Sequence, residues 1–185
     1  YVGRMCRFVL DRGKTPIVWE GFRKESNGYV PKETLVVAWE SMYQLAPDLV
    51  DSGFTILNGS WQPLYVVAPW RKWSPEEILG WNKYKWDHWF EKSAAYGGNK
   101  VFVPETAPVA GGMLCAWGEY LKGYESCRLA CQLEFSCIVP RLSALVERLW
   151  STHGGNSLEE FEKAYGDLKN LLSVLWGDNP FRGEL

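Results

Sequence analysis

The sequence of 185 residues contains few of the side chains that bind metal ions. It has two histidines, His88 and His153, and its five cysteines include no CxxC pair. Structural zinc sites need about four such ligands at short, regular spacings. We therefore expect no metal site and no cofactor. An odd number of cysteines also gives no disulfide framework.

An excess of positive charge is missing as well. The formal net charge is -2, and charged residues make up 23% of the chain, so we expect no nucleic-acid partner. On reading the sequence we find no apolar run long enough to span a membrane, and we expect no membrane partner. A hydrophobic content of 46% excludes a disordered chain. The composition predicts a globular protein and leaves its compartment open.

Tryptophan is the residue present in excess, with 11 copies. Four of these lie in stretches with helical periodicity, where we interpret them as packing residues: Trp86, Trp89, Trp150 and Trp176. Three others close short apolar runs and stand next to, or two residues before, a glutamate: Trp19, Trp39 and Trp117. A flat indole beside a carboxylate suits a sugar-binding pocket, because the ring packs on the pyranose and the carboxylate accepts its hydroxyls.

The apolar runs that carry these tryptophans predict buried strands of a parallel sheet. We predict strands at 15–19, 34–39, 53–58 and 113–117, and helices at 1–11, 42–51, from Ser74 past Trp89, 125–150 and 157–176. Pro140 is expected to kink or split the fourth helix. The segments 58–73 and 101–112 read as long loops. Four βα units joined by right-handed crossovers amount to half of a (β/α)8 barrel, in which function collects at the carboxyl ends of the strands.

Four segments in this order and spacing resemble the carboxyl-terminal half of the family 20 glycoside hydrolases, the β-N-acetylhexosaminidases. They are VVAWES, GFTILNGSWQPLYVV, VAGGMLCAWGEYL and PRLSALVERLWS. The resemblance implies an α/β fold of the (β/α)8 TIM-barrel type. Residues 1–185 would supply about the last four βα units as one half of the catalytic domain.

The resemblance also implies an activity and a partner. Members of the family remove terminal N-acetylhexosamine from glycans by retaining catalysis in which the substrate's own acetamide is the nucleophile. An adjacent Asp-Glu pair supplies the acetamide-orienting carboxylate and the general acid. The sequence contains no Asp-Glu dipeptide. We expect the pair to precede residue 1, so that this chain is a fragment with an incomplete site.

Carried over by position, the resemblance assigns five site residues. Tyr65 matches the tyrosine whose hydroxyl binds the acetamide oxygen, and Glu119 matches the carboxylate that accepts hydroxyls of the terminal sugar. The aromatic residues that enclose the N-acetyl group and support the ring are matched by Trp19, Trp39 and Trp117. Val67 departs from the family, since many members carry Asp there to bind a hydroxyl.

Two alternatives stay open at this point. A different (β/α)8 glycosidase would use Glu20, Glu40 or Glu119 as acid and base, although a residue following a strand-end Trp lies on the opposite face of the pleat. A non-catalytic carbohydrate-binding protein would reuse the aromatic residues without an acid. In either case half a barrel leaves two unpaired strand edges. We therefore expect self-association or pairing with the missing amino-terminal half.

Overall fold

The computed structural model describes residues 1–67, 72–98, 100–118, 126–151 and 157–176, except for the side chains of residues 172, 173, 175 and 176. The chain divides into two compact units. The first unit comprises Tyr1–Gln62 and Asn82–Met113, and the second comprises Pro63–Trp81 and Leu114–Leu185. Each unit is described by itself.

The first unit is built on a parallel four-stranded sheet. Its strands are β1 (Ile17–Trp19), β2 (Leu35–Ala38), β3 (Thr55–Asn58) and β7 (Val109–Gly112), and they stand in the order β1-β2-β3-β7. Val36 pairs with Val18 of β1 and Ile56 of β3. Val36, Val37 and Ala38 are all buried, so both faces of β2 are covered. A continuous apolar run is typical of such a strand, and the sequence predicted the first three strands correctly.

Helices cover this sheet and complete its core. They are α1 (Val2–Leu10), a 3-10 helix (Lys24–Tyr29) and α2 (Ala46–Asp51). Cys6 of α1 and Leu49 of α2 join Val36 and Ile56 in one cluster of buried side chains. Pro47 lies in the first turn of α2, where its missing N–H costs nothing. The predicted helical segments 1–11 and 42–51 are therefore present, the second as a shorter helix.

The predicted helix from Ser74 past Trp89 is wrong beyond its first turns. Helix α4 (Pro75–Leu79) ends at Gly80, and Lys85–Trp86 forms strand β5, antiparallel to β6 (Val101–Phe102). Trp86 is fully buried, and its Nε1 donates a hydrogen bond to the backbone oxygen of Ala38 at 2.8 Å. Burial of this indole against β2 therefore overrides the local helical periodicity. Trp86 is a packing residue as expected, but neither it nor Trp89 is helical.

The predicted strand at 113–117 is also displaced. Strand β7 begins at Val109, inside the segment 101–112 that was predicted to be a loop. A register irregularity between Ile56 and Leu57 of β3 accommodates it. Of the predicted strand only Cys115–Ala116 (β8) is paired, and its partner is the short strand β4 (Tyr65–Val66). Tyr65 therefore lies in a strand rather than in a loop.

The second unit is mainly helical. Helix α3 (Trp61–Leu64) begins in the first unit, and its last two residues belong to the second unit and lead into β4. Helices α4, α5 (Cys127–Trp150) and α6 (Leu158–Trp176) follow. Ser74 and Glu77 form a reciprocal capping box at the start of α4, as Ser157 and Glu160 do before α6. In each box the serine side chain and the glutamate side chain satisfy backbone N–H groups of the first helical turn. Pro140 does not split α5, which is one helix of 24 residues.

Helix α5 is long and apolar enough to cross a membrane by length and composition alone. On reading the sequence we identified no apolar run of this length. The absence of a membrane partner stays a prediction. Buried core helices of globular proteins meet the same criterion. Arg141 lies in the middle of α5, buried, with its guanidinium bound to two backbone carbonyls. Helix α5 also packs against α4 and α6 within its own unit.

Candidate functional site

Trp19 and Trp39 stand side by side at the carboxyl ends of two neighbouring parallel strands. Trp19 is the last residue of β1, and Trp39 follows the last residue of β2. Their rings pack edge to face, with centroids 5.3 Å apart and planes at 76°. Trp19 is 43% exposed, and Trp39 is half-buried. The pair offers solvent a partly exposed aromatic surface of the kind that stacks on a sugar ring.

Glu20 fixes the position of the second indole through its backbone. The Nε1 of Trp39 donates to the backbone oxygen of Glu20 at 2.7 Å. The backbone nitrogen of Glu20 in turn donates to the oxygen of Val37 at 2.9 Å. Because both contacts bridge β1 and β2, the orientation of Trp39 is tied to the end of the neighbouring strand.

The carboxylate of Glu20 is buried, with 1% of the residue exposed. It accepts four backbone N–H groups of the loop after β2, from Glu40, Ser41, Tyr43 and Gln44, at 3.2 to 3.4 Å. Burial raises the pKa of Glu20, and the four hydrogen bonds oppose that rise. The Glu20 side chain is thus bound to the loop after β2. This does not favour Glu20 as the acid or base of an ordinary glycosidase.

Glu40 differs from its neighbour along the sheet. It is half-buried, and its carboxylate makes no hydrogen bond or ion pair with the part of the chain that the structure describes. Burial raises its pKa. Of the two alternative carboxylates that the structure describes, Glu40 is the one with free acceptor atoms.

A second aromatic group extends this surface in the first unit. The ring of Trp61 lies 6.3 Å from that of Trp39, and it stacks on His88 at 5.1 Å with 19° between planes. Trp89 and Phe90 pack on Trp61 at 5.0 and 5.7 Å. These residues were not predicted as site residues, because Trp61 was placed in a loop at 58–73 and Trp89 in a helix that begins at Ser74. The signal that could have found them is the aromatic run His88-Trp89-Phe90 itself.

His88 connects the aromatic group to the loop after β2. Its Nδ1 lies 2.5 Å from Ser93 Oγ, which donates to the backbone oxygen of Glu40 at 2.9 Å. Since the Ser93 hydrogen is used by Glu40, the bond to His88 assigns a proton to Nδ1. Burial lowers the pKa of His88 to about 4, although the backbone carbonyls of Glu40 and Trp39 act against it. The imidazole is therefore neutral near pH 7.

Tyr65 and Trp117 are paired in the second unit. Tyr65 of β4 lies opposite Cys115 of β8, and the backbone nitrogen of Trp117 donates to the oxygen of Val66 at 2.9 Å. The two rings lie 6.2 Å apart, tilted by 32°. Tyr65 is 5% exposed and Trp117 is 40% exposed. The Tyr65 side chain is therefore buried, whereas the Trp117 indole is partly exposed to solvent.

The Tyr65 side chain forms a hydrogen bond with the buried thiol of Cys115. Burial raises the pKa of Cys115 to about 12, and a hydrogen bond with the Tyr65 side chain lowers it by less. Cys115 is thus a protonated thiol at neutral pH. The contact joins the side chains of two residues that are paired between β4 and β8.

Four of the five predicted site residues are described by the structure, and they form two pairs. Trp19 and Trp39 meet in the first unit, and Tyr65 and Trp117 meet in the second. Glu119 lies outside the described residues. Within the described ranges, no group of three or more His, Cys, Asp or Glu side chains is arranged to hold a metal ion.

Comparison with known proteins gives the chain a family. A family model described as glycosyl hydrolase family 20, catalytic domain, matches residues 1–153. The crystal structure of Dispersin B is similar at a TM-score of 0.60 and 19% identity, over 82% of this chain and 47% of that one. A β-N-acetylhexosaminidase from Bacteroides fragilis is similar at a TM-score of 0.50 and 16% identity, over 97% of this chain and 33% of that one.

The sequence identity and the coverage determine what these two similarities show. At such identities the two solved structures support the fold alone. The chain spans less than half the length of either structure. No curated protein sequence matches it significantly.

Proposed function

The chain belongs to glycosyl hydrolase family 20, and on that premise we propose that it forms the carboxyl-terminal half of a β-N-acetylhexosaminidase barrel. Its α/β structure with a parallel sheet fits a TIM-barrel family. Support for the half barrel comes from the four parallel strands of the first unit and from the 47% coverage of Dispersin B. Residues 1–185 together would form one half of the catalytic domain.

One observation carries the proposal. Trp19 and Trp39 present partly exposed indoles at the carboxyl ends of adjacent parallel strands, 5.3 Å apart and fixed by the Trp39–Glu20 hydrogen bond. Active sites of (β/α)8 barrels lie at this end of the strands. Aromatic walls at this position suit the apolar face of a sugar and its acetyl group. The proposed partner is a glycan that ends in N-acetylhexosamine.

The proposed reaction is substrate-assisted retaining hydrolysis. The acetamide oxygen bonds to the anomeric carbon while the glycosidic bond breaks and the leaving oxygen takes a proton from a carboxylic acid. Water then opens the cyclic intermediate with retention. In this scheme the Tyr65 hydroxyl donates a hydrogen bond to the acetamide oxygen, and the indoles hold the sugar ring in place. Glu119 accepts sugar hydroxyls. The acid comes from an Asp-Glu pair that this sequence does not contain.

The second candidate is a non-catalytic carbohydrate-binding protein. The exposed aromatic residues favour it as much as they favour an enzyme, and the missing Asp-Glu dipeptide is what such a protein would show. A glycosidase that used Glu20, Glu40 and Glu119 is less well supported, because the Glu20 carboxylate is buried under four backbone N–H groups. Turnover by the longer protein separates these candidates.

The test of the proposal is Tyr65→Phe in the full-length parent protein. With an aryl N-acetyl-β-glucosaminide, we expect kcat to fall by roughly one to three orders of magnitude and KM to change less, because the hydroxyl is needed most as the acetamide becomes nucleophilic. Tyr29→Phe, at a tyrosine that is 73% exposed, is the matched control. Unaltered kcat in Tyr65→Phe would remove this residue from the mechanism.

A second variant separates binding from chemistry. Trp117→Ala removes an indole that is 40% exposed and should chiefly raise KM, since its ring supports the sugar in the ground state and the transition state alike. Circular dichroism must match the unmodified protein. An unchanged KM would place Trp117 outside the glycone pocket.

A further inference from the structure

A pocket of about 400 Å³ lies among α4, α5 and α6 of the second unit. Cavities of this size hold small organic molecules. Part of its lining comes from Phe161, Glu162 and Tyr165 of α6. These residues lie beyond residue 153, where the match to the family model ends. Part of the pocket lining therefore lies outside the family match.

Arg141 brings a buried positive charge to this pocket. It is 9% exposed, its Nε donates to the backbone oxygen of Trp73 at 2.5 Å, and its Nη1 donates to the oxygen of Cys137 at 2.7 Å. A guanidinium has five N–H donors, so three remain. No described carboxylate forms an ion pair with it, and Glu77 acts on it only over a longer range. A buried charge without a counter-ion is costly.

Lys72 adds a second cation at the same place. Its Nζ lies 3.7 Å from Cys137 Sγ, and Cys137 also provides the carbonyl that binds Arg141. Among the residues that the structure describes, Lys72 has no carboxylate partner either. Two like charges that converge on one residue repel each other, and an anion between them would relieve this repulsion.

Tyr165 supplies a third donor from another helix. Tyr165 lines the pocket, and its hydroxyl has no hydrogen-bond partner in the described ranges. Its ring stacks on Phe161, with centroids 5.9 Å apart and planes at 12°. The positive charge of Arg141 acts on this phenol. The pocket thus combines hydrogen-bond donors from three side chains with the aromatic rings of Phe161 and Tyr165.

We propose that this pocket binds a small phosphomonoester, with the phosphate held by Lys72, Arg141 and Tyr165 and the organic part packed on Phe161. A guanidinium, an ammonium and a phenol from three different elements suit an anion with three terminal oxygens. A planar carboxylate has only two. The proposal does not depend on the hexosaminidase assignment, since it uses none of the proposed glycone residues.

Two exposed acids at the pocket, Glu76 and Glu162, act against an anion. They bring the formal charge of the pocket's ionised side chains close to zero, so we expect moderate affinity. They also allow a test in which substitutions of acidic and basic residues should change the binding affinity in opposite directions. Neutralising Glu162 should strengthen binding of a phosphate dianion, whereas neutralising Lys72 should weaken it.

The experiment is a calorimetric titration of the purified chain with phenyl phosphate. Lys72→Gln and Tyr165→Phe should each weaken binding about tenfold, as expected for loss of one hydrogen bond to a charged group, and Glu162→Gln should tighten it by about twofold to fivefold. Lys163→Gln, at an exposed lysine of α6 outside the pocket, is the matched control. Arg141 is left unchanged because it also holds the backbone at Trp73.

Three results would overturn the proposal. One is no heat of binding with phenyl phosphate, and another is equal affinity for the chain and the Lys72→Gln/Tyr165→Phe double variant. The third is equal or tighter binding of benzoate, which would remove the selectivity for phosphate. Inorganic phosphate should bind more weakly than phenyl phosphate, because it has no ring to pack on Phe161. Equal affinities would remove the organic part from the proposal.

Discussion

The indole Nε1 of Trp39 donates a hydrogen bond of 2.7 Å to the backbone oxygen of Glu20. The same glutamate uses its carboxylate to bind four backbone N–H groups just beyond Trp39. One residue at the end of β1 therefore positions both the aromatic side chain and the loop at the end of β2. Preorganised walls of this kind reduce the cost of ordering a site when a sugar binds.

Glu20→Gln should destabilise the chain. The amide keeps one acceptor oxygen but turns an NH2 group toward backbone N–H donors, which leaves buried donors unpaired at a cost of about 2–4 kcal/mol in the free energy of unfolding. Glu40→Gln changes a half-buried carboxylate without side-chain hydrogen bonds and should cost less than about 1 kcal/mol. Urea denaturation measures both. Equal losses in the two variants would show that the Glu20 carboxylate does not hold the loop.

His88 should make stability depend on pH. Its pKa is about 4 in the folded chain, against an ordinary value of 6.5, so between these values the unfolded chain binds more protons. The free energy of unfolding should therefore be highest above pH 6.5 and fall by up to about 3 kcal/mol on acidification to pH 4.

The variant His88→Asn isolates this contribution from other titrating groups. Asparagine can keep a polar contact with Ser93 but does not titrate in this range. Denaturation of both proteins at a series of pH values between 4 and 7 should give a shallower slope for the variant. Parallel curves would mean that His88 is protonated alike in the folded and unfolded chains.

Local patterns were sufficient for some elements. Strands β1, β2 and β3 are short apolar runs bounded by polar or breaking residues, and the caps at Ser74 and Ser157 follow local hydrogen-bonding rules. Strand β7 was missed because its pairing depends on β3, about fifty residues earlier in the chain. Trp86 was misassigned for the same reason, since its indole is buried against Ala38.

The candidate site likewise contains some features that local sequence patterns predict and others that depend on distant contacts. Trp19 and Trp39 could be predicted to meet because both end neighbouring parallel strands, and the structure places them in contact. The aromatic group around Trp61 and the neutral His88 could not be predicted. They are assembled by contacts between distant parts of the chain, and no local periodicity encodes such contacts.

The isolated chain should lack hexosaminidase activity and should self-associate. It contains no Asp-Glu pair, β1 is an edge strand of the described sheet, and Ile17 on it is 57% exposed. From residue 135 to 150 of α5, the exposed side chains are all apolar: Phe135, Leu142, Val146 and Trp150. Such edges and patches favour association.

Light scattering and an aryl-glycoside assay on the purified chain check both parts of this prediction. We expect a mass above the 21.2 kDa of one chain and no turnover above background. A monomer that hydrolyses the substrate would mean that the catalytic residues are misplaced. Glu20, Glu40 and Glu119 would then be the next candidates for mutation.

The most direct measurement is saturation-transfer NMR of N-acetylglucosamine with the purified chain. If Trp19 and Trp39 form the wall around the acetyl group, the acetyl methyl protons should receive more saturation than the ring protons, and glucose should receive little. Trp39→Ala should reduce the methyl signal, whereas Trp150→Ala, at an indole that is 82% exposed at the end of α5, should not. Equal saturation of N-acetylglucosamine and glucose, or a methyl signal unchanged in Trp39→Ala, would contradict the assignment of this surface to an N-acetylhexosamine pocket.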